Sequence, residues 1–375
     1  MIQRIKEIMR RTDMQHSFLS HEEEARRNRN NILHYIKKHG PISRTDIWKQ
    51  MDVSRASVTQ VVRQLQENNL ILEGDEGEST GGRKPQYIQF NGMAKKLYAF
   101  DWTSRTLCLM SMGGDILYEK KILSFDSSVT PVNFVTTLDK EINNIKKKQL
   151  CDSEEIVGFG VALPGLIDSQ NTIVVNSVEL GWQNVNLQEL FRHHFPEKIY
   201  LERYGNLMAL GEQSLEKFKE SEHFQLFILD SGGIGVSTII HNGCQHGANY
   251  MHGELGHIKI PSDVICSCGQ RGCLEAVVNN MMIHSGGKLT DQILDYLAIG
   301  VSTAINIVDS SVAVLVGSYV DKMTQTQKDM LIQSIRNKLT SQQLRKIDIH
   351  FSKETKRMAL TGISEYVFNC YFEIE

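Results

Sequence analysis

Apolar positions define the first elements of the chain. Ile32, Leu33 and Ile36 recur at helical spacing, and Gly40-Pro41 ends that helix. Ser43 then stands where an N-cap belongs, with Asp46 at the third helical position and Ile42 and Ile47 placed as a hydrophobic staple. The same grammar returns at Ser54, with Val53 and Val58 as the staple and Val61, Val62 and Leu65 as the buried stripe. Two capped helices joined through Met51-Asp52-Val53 read as a helix-turn-helix.

Polar residues decide what that unit can do. Ser54, Arg55, Ser57, Thr59, Gln60 and Arg63 lie off the apolar stripe and are free to face a major groove. Leu70-Ile71-Leu72 and Tyr87-Ile88-Gln89-Phe90 alternate as short strands around a loop from Glu73 to Pro85, which completes a wing. The tip, Gly81-Gly82-Arg83-Lys84-Pro85, offers Arg83 and Lys84 to a narrow minor groove. A purely structural three-helix module would show the same apolar pattern, so the basic tip carries the DNA reading.

From about residue 95 the texture changes to strands alternating with helices, the pattern of an α/β body. Leu97 to Asp101, Leu107 to Met112 and Ile116 to Leu123 predict a meander, followed by an amphipathic helix on Val132, Val135, Leu138, Ile142 and Ile145. A related unit starts near Gln225, with a strand ending at Asp230, the turn Ser231-Gly232-Gly233-Ile234-Gly235 and a second strand to Ile240. Two strands that each end in Asp before a hairpin suggest a duplicated, two-lobed fold with a cleft between the lobes.

Charge sharpens the division. Residues 1 to 70 hold 13 Lys and Arg against 8 Asp and Glu, in a chain whose formal net charge is -3. A basic N-terminal piece on an acidic body suits a polyanion partner. No stretch approaches the roughly 18 apolar residues of a membrane span, and no apolar signal core opens the chain, which predicts a cytoplasmic protein without a membrane partner. Among seven cysteines, Cys266, Cys268 and Cys273 crowd together after His257. Such a set fits tetrahedral zinc with every position filled by protein, hence one structural ion per chain. Three reduced, unligated thiols are the alternative.

Gly253-Glu254-Leu255-Gly256-His257, the cysteine cluster running into Gly272-Cys273-Leu274-Glu275, and Pro164-Gly165-Leu166-Ile167-Asp168 resemble the ROK family of bacterial sugar kinases and sugar-responsive repressors. The helix-turn-helix and its wing resemble the repressor branch. The resemblance runs from about residue 25 to residue 370 and implies a winged helix-turn-helix in residues 1–92. Residues 95–375 would then form a two-lobed actin- and ribonuclease-H-like sugar-kinase fold. The cleft is expected near 203–206 and 254–275, with the C-terminal helix returning to the first lobe. Glu254, His257 and Glu275 match positions that hold sugar hydroxyls, with His257 also serving the metal, and Arg203, Asn206 and Glu179 fall in the same expected pocket.

One departure from the kinases bears on function. Their segment matching Glu202 to Glu212 carries an Asn-Asp pair whose Asp deprotonates the sugar hydroxyl, and here Arg203 and Tyr204 stand at those positions. A phenol, with an ordinary pKa of about 10, is a poor base at neutral pH. No catalytic residue is therefore expected. The resemblance implies a repressor that binds operator DNA as a homodimer, or possibly a tetramer, and responds to a sugar or sugar derivative. An active kinase with an accessory reader, and a repressor controlled by a protein partner, are the alternatives.

Overall fold

The computed structural model describes residues 21–76, 86–341, 343–353 and 356–373. Its contacts divide into two units, one holding the chain up to Ala94 together with the stretch from Asn369, the other Lys95–Phe368. The last residues thus belong with the N-terminal unit, a correction to a body expected to run from 95 to the C-terminus.

The N-terminal unit follows its caps. Helix α1 (His21–His39) leads through β1 (Ile42–Ser43) into α2 (Arg44–Met51), whose N-cap Ser43 accepts the Asp46 amide at 3.2 Å. Asp52, at φ 52°, ends α2 in the left-handed region and turns the chain toward α3 (Arg55–Glu67). Ser54 caps α3 by accepting the Ser57 amide at 3.0 Å. Ile32, Leu33, Ile36, Ile47, Val58, Val62 and Leu65 are all buried and make the core. Strands β2 (Ile71–Glu76) and β3 (Gln86–Phe90) pair antiparallel in the sheet order β1-β3-β2. Strand β2 outruns its expected end at Leu72, because Glu73 pairs with Ile88 and Glu76 with Gln86 across a register shift. Arg83 and Lys84 lie outside the described residues. At the other end of the chain, the carbonyls of Glu373 and Phe372 meet Asn30 Nδ2 at 2.9 Å and His34 Nε2 at 2.8 Å.

The body contains one topology twice. In the first lobe β4 (Lys96–Asp101), β5 (Thr106–Ser111) and β6 (Ile116–Lys121) form the meander. After α4 (Pro131–Lys146), β7 (Ile156–Leu163) lies parallel to β4. A small sheet of β8 (Leu166–Asp168), β9 (Ile173–Ser177) and β10 (Trp182–Asn186) follows, and then α5 (Leu187–Phe191). Strand β11 (Ile199–Arg203) closes the main sheet in the order β11-β7-β4-β5-β6. After α6 (Tyr204–Gln213), the second lobe repeats the meander as β12 (His223–Asp230), β13 (Gly233–Ile240) and β14 (Gly243–Cys244). Helices α7 (Leu274–His284) and α8 (Asp291–Val308) precede β15 (Val312–Val316). Then α9 (Ser318–Lys322) and α10 (Gln325–Lys338) lead to β16 (Asp348–Phe351), giving the order β14-β13-β12-β15-β16. In both lobes the third and fourth partners run parallel to the first strand of the meander or to its neighbour.

Two details position the rest. The buried face of α4 is Phe134, Val135, Leu138, Ile142 and Ile145, whereas Val132, expected inside, is 62% exposed. Phe134 takes that place, lying two residues further along the helix and edge-on to Trp182 and Phe100. The last helix, α11 (Lys356–Tyr371), packs on the first lobe and on α6, with Gly160 facing Ile363. Gly362 passes so close to Leu207 that any Cβ would collide with its carbonyl.

Candidate functional site

The residues expected to line the cleft begin where β11 becomes α6. Glu202, the last fully buried residue of β11, is 0% exposed and therefore needs partners for its carboxylate. It has four: Ser169 Oγ at 2.9 Å, Asn206 Nδ2 at 3.0 Å, the Arg203 amide at 2.6 Å and His246 Nε2 at 2.7 Å. The hydrogen bond to Glu202 raises the His246 pKa above its ordinary value, against the opposing effect of burial. Neither Glu202 nor His246 stood out in the sequence. Asn206, expected to touch ligand, is buried and spends its amide nitrogen on Glu202 instead.

Arg203 reaches the other way. Its Nη1 donates to the His252 carbonyl at 2.8 Å and its Nη2 to Glu254 Oε1 at 3.0 Å. Glu254 is delivered by Gly253, at φ 91°, whose missing Cβ leaves room for the Val236 carbonyl of β13. Contacts continue from Glu254 Oε2 to His257 Nε2 at 3.6 Å, and from His257 Nδ1 to Glu275 Oε1 at 3.8 Å. The structure thus brings Arg203, Glu254, His257 and Glu275 into one line of contacts. Beside them the His252 pKa is lowered, first by burial and then by Arg203, and its Nε2 is buried without a hydrogen-bond partner. Tyr204 is the first residue of α6, with Arg203 as its N-cap.

His257 faces two ways. While Nε2 looks toward Glu254, Nδ1 lies 3.8 Å from Cys266 Sγ. The ligand atoms of His257, Cys266, Cys268 and Cys273 all fall within 4.8 Å of one another, and the sulfurs of Cys268 and Cys273 are 3.6 Å apart. A tetrahedron with metal–sulfur bonds of about 2.3 Å has edges of about 3.8 Å, so the cluster has the size a metal ion needs. Cys266 and Cys273 are buried, and an Ile265–Arg271 bridge closes the loop between them. Burial pushes the Cys266 thiol up, and its Sγ donates to Glu275 Oε1 at 3.2 Å. The Gln270 backbone N–H draws the exposed Cys268 thiol down.

Both hairpin turns are capped by the Asp that precedes them. Asp101 accepts the Thr103 and Ser104 amides, each at 3.0 Å. Asp230 accepts Gly232 N at 3.1 Å and Ser318 N, the first residue of α9, at 3.0 Å. Burial lifts the Asp101 carboxyl above its ordinary range. It also pushes Asp230 up, but there the Ser318 and Gly232 amides prevail and hold the pKa down. Glu179, between β9 and β10, lies against the first turn. It accepts Trp102 Nε1 at 2.6 Å and lies 3.9 Å from Arg105, whose guanidinium stacks 3.6 Å over the Trp102 ring.

On α3 of the N-terminal unit, Ser54, Arg55, Ser57, Thr59, Gln60 and Arg63 are all exposed, opposite the buried Val58, Val61, Val62 and Leu65. Several carry local bonds. Thr59 Oγ1 donates to the Arg55 carbonyl at 2.8 Å, Arg63 pairs with Glu67 at 2.8 Å, and the Arg55 guanidinium lies 4.4 Å over Trp48 of α2. Trp48, unnoticed in the sequence, therefore sets the direction of Arg55.

The description of the ROK family matches residues 102–288, and that of the MarR family matches residues 27–72. The chain belongs to the ROK family. The xylose repressor of Bacillus spizizenii is 24% identical over 343 residues, 84% of this chain and 86% of its own. A putative xylose repressor of a Caldicellulosiruptor species is 28% identical over 247 residues, 65% of this chain and 61% of its own. The DNA-binding transcriptional dual regulator NagC of Escherichia coli is 29% identical over 264 residues, 68% of this chain and 62% of its own. The last two matches span less than two thirds of the relative's length. Among solved structures, a ROK family transcriptional regulator homologous to the E. coli MLC protein superposes with a TM-score of 0.76 at 20% identity, covering 93% of this chain and 97% of its own. A ROK hexokinase from Thermus thermophilus gives 0.58 at 18% identity, over 72% of this chain and 97% of its own. The fold is thus that of a ROK body behind a MarR-type winged helix. No helix among the described residues is long and apolar enough to cross a membrane.

Proposed function

We propose that this ROK chain is a sugar-responsive, DNA-binding transcriptional repressor whose cleft senses a sugar or sugar derivative and performs no phosphoryl transfer. The observation that carries this reading is the junction of β11 and α6. Where the resemblance to ROK kinases asks for a proton acceptor, the chain has the phenol of Tyr204, and beside it Arg203 is clamped to Glu254 at 3.0 Å. The nucleotide side supports the same conclusion. The first turn, Trp102-Thr103-Ser104-Arg105, has no glycine to let its backbone approach a phosphate closely, and its Thr103 and Ser104 amides are already taken by Asp101.

His257, Cys266, Cys268 and Cys273 would hold one zinc ion per chain. A donor set of one imidazole and three thiols leaves no position open for a catalytic water, so the ion would be structural. Zinc bound at Nδ1 of His257 would fix the ring whose Nε2 faces Glu254, tying the metal loop to the sugar hydroxyls. Two chains would dimerise, each placing α3 in the major groove of one half of a pseudo-palindromic operator, with half-sites a whole number of turns apart. Effector binding alters operator affinity only through a difference in affinity for the free and DNA-bound arrangements.

The test pairs two assays on the full-length protein. Fluorescence anisotropy on selected operator DNA should show binding that xylose, N-acetylglucosamine or a related sugar weakens. An ADP-release assay across the same sugars should stay at background. Sugar-dependent ADP release would overturn the sensor reading, and operator binding indifferent to every sugar would overturn induction by direct binding.

A further inference from the structure

We infer that Arg203 is a built-in competitor for the cleft: on Glu254 Oε1 its Nη2 takes the place of a sugar hydroxyl, and so it sets how much free effector is needed to fill the site. The inference rests on the reading of the cleft as a sugar site and specifies how that site is tuned.

A guanidinium N–H and a sugar hydroxyl both donate to a carboxylate oxygen, so each can occupy Glu254 Oε1 in the direction that Arg203 Nη2 now takes, and neither can do so while the other is there. Arg203 is well placed to compete because it is held at two further points. Its backbone N–H is fixed on Glu202 at 2.6 Å and its Nη1 on the His252 carbonyl at 2.8 Å, so presenting Nη2 to Glu254 costs little additional order. The pair is also displaceable. The Arg203 side chain is 24% exposed and that of Glu254 38%, so both ends can return to water when a ligand arrives. A deeply buried pair would instead leave an uncompensated charge. When Arg203 lets go of Glu254 it keeps its bond to His252, beside the buried Nε2 of the same residue that has no partner of its own.

A competitor and a ligand contact have opposite signatures. If Arg203 competes, removing it tightens the binding of a neutral sugar. Screening its ion pair with salt does the same, although salt has little direct hold on an uncharged ligand. If Arg203 contacts the ligand, both signs reverse or vanish.

The experiment is calorimetric titration of the full-length protein and of R203A and R203Q with D-xylose, D-glucose and N-acetyl-D-glucosamine. At least one sugar is expected to bind R203A and R203Q roughly three- to tenfold more tightly than wild type, the range that loss of a partly exposed ion pair supports. Raising NaCl from about 0.1 M to about 1 M, which shortens the screening length from about 10 Å to about 3 Å, should tighten binding to wild type and leave R203A unchanged. Equal or weaker binding by both variants would overturn the inference while leaving the sugar site standing. Should the variants fail to fold, a flat or falling salt series on wild type overturns it equally. If no sugar binds any of the three proteins, the sugar-site reading falls and takes this inference with it.

Discussion

His246 carries a pH dependence whose sign follows from its partner. The hydrogen bond to Glu202 raises the folded-state pKa above the ordinary value of 6.5, so folding favours the protonated imidazole. Stability from this pair is then complete below about pH 6.5 and is lost as pH rises through the folded-state value. Thermal melts of wild type and His246→Gln between about pH 5.5 and about pH 9 should show a wild-type advantage that shrinks with rising pH. An advantage constant across the range would mean that the imidazole acts as a neutral donor only. In the reader, the exposed Arg55 and Gln60 should discriminate bases, so Arg55→Ala or Gln60→Ala is expected to cost about 1–3 kcal/mol on operator and far less on random duplex. Equal losses on both DNAs, measured by anisotropy, would remove α3 from the base-reading role. Such positions were legible because caps and stripes are local: Ser43 and Ser54 bond three residues ahead, and the sequence displays both ends of each bond. Glu202 was not. Its partners Ser169 and His246 lie 33 and 44 residues away, and the only trace in the sequence is an acidic residue closing the apolar run Ile199 to Leu201.

At the scale of elements, the loop from His257 to Cys273 brings a cluster that could hold a metal into contact with Glu254, although the sequence presents it as one short motif. His257, Cys266, Cys268 and Cys273 were readable as a cluster because they fall within 17 residues, and the structure gathers them as that spacing suggests. What spacing could not convey is that His257 spans the metal cluster and Glu254 with its two nitrogens. Cys268→Ser removes an exposed ligand without opening a hole in the core, so it tests the metal with little packing loss. It should lower the zinc content measured by mass spectrometry and reduce the melting temperature of the body. Sugar affinity should fall as well, because the His257 ring loses one of its anchors. A variant that retains full zinc and full sugar affinity would separate the two sites. Strand β2 shows the opposite limit of legibility. Polar Glu73 to Glu76 read as loop, yet cross-strand pairing with β3 extends the strand, since ladder partners can outweigh a weak local preference.

At the scale of the whole molecule, the strand order β11-β7-β4-β5-β6 repeats as β14-β13-β12-β15-β16, run in the opposite listing direction, and each first strand ends in the Asp that caps its hairpin. Duplication was readable from those two Asp-hairpin pairs, because each half repeats a local pattern. The chain's return to its own beginning was not, for residues 343 positions apart leave no periodicity to find. Asn30 is 3% exposed and Phe372 is 7% exposed, so the tail fills part of the N-terminal unit and its carbonyls meet Asn30 Nδ2 and His34 Nε2. Truncation after Phe368 would remove both bonds, at about 1 kcal/mol each, together with the buried Phe372 ring, whose lost burial is worth about 1.5–3 kcal/mol. A destabilisation of about 3.5–5 kcal/mol is a large share of the about 5–15 kcal/mol by which native proteins are stable. The truncated chain should therefore lose protection of the α1 amides in hydrogen exchange and weaken on operator and random DNA alike, because folded reader is depleted without change to its base contacts. Zinc content should be untouched, since every ligand lies in Lys95–Phe368. Unchanged α1 protection would show that the winged helix is complete without the end of the chain.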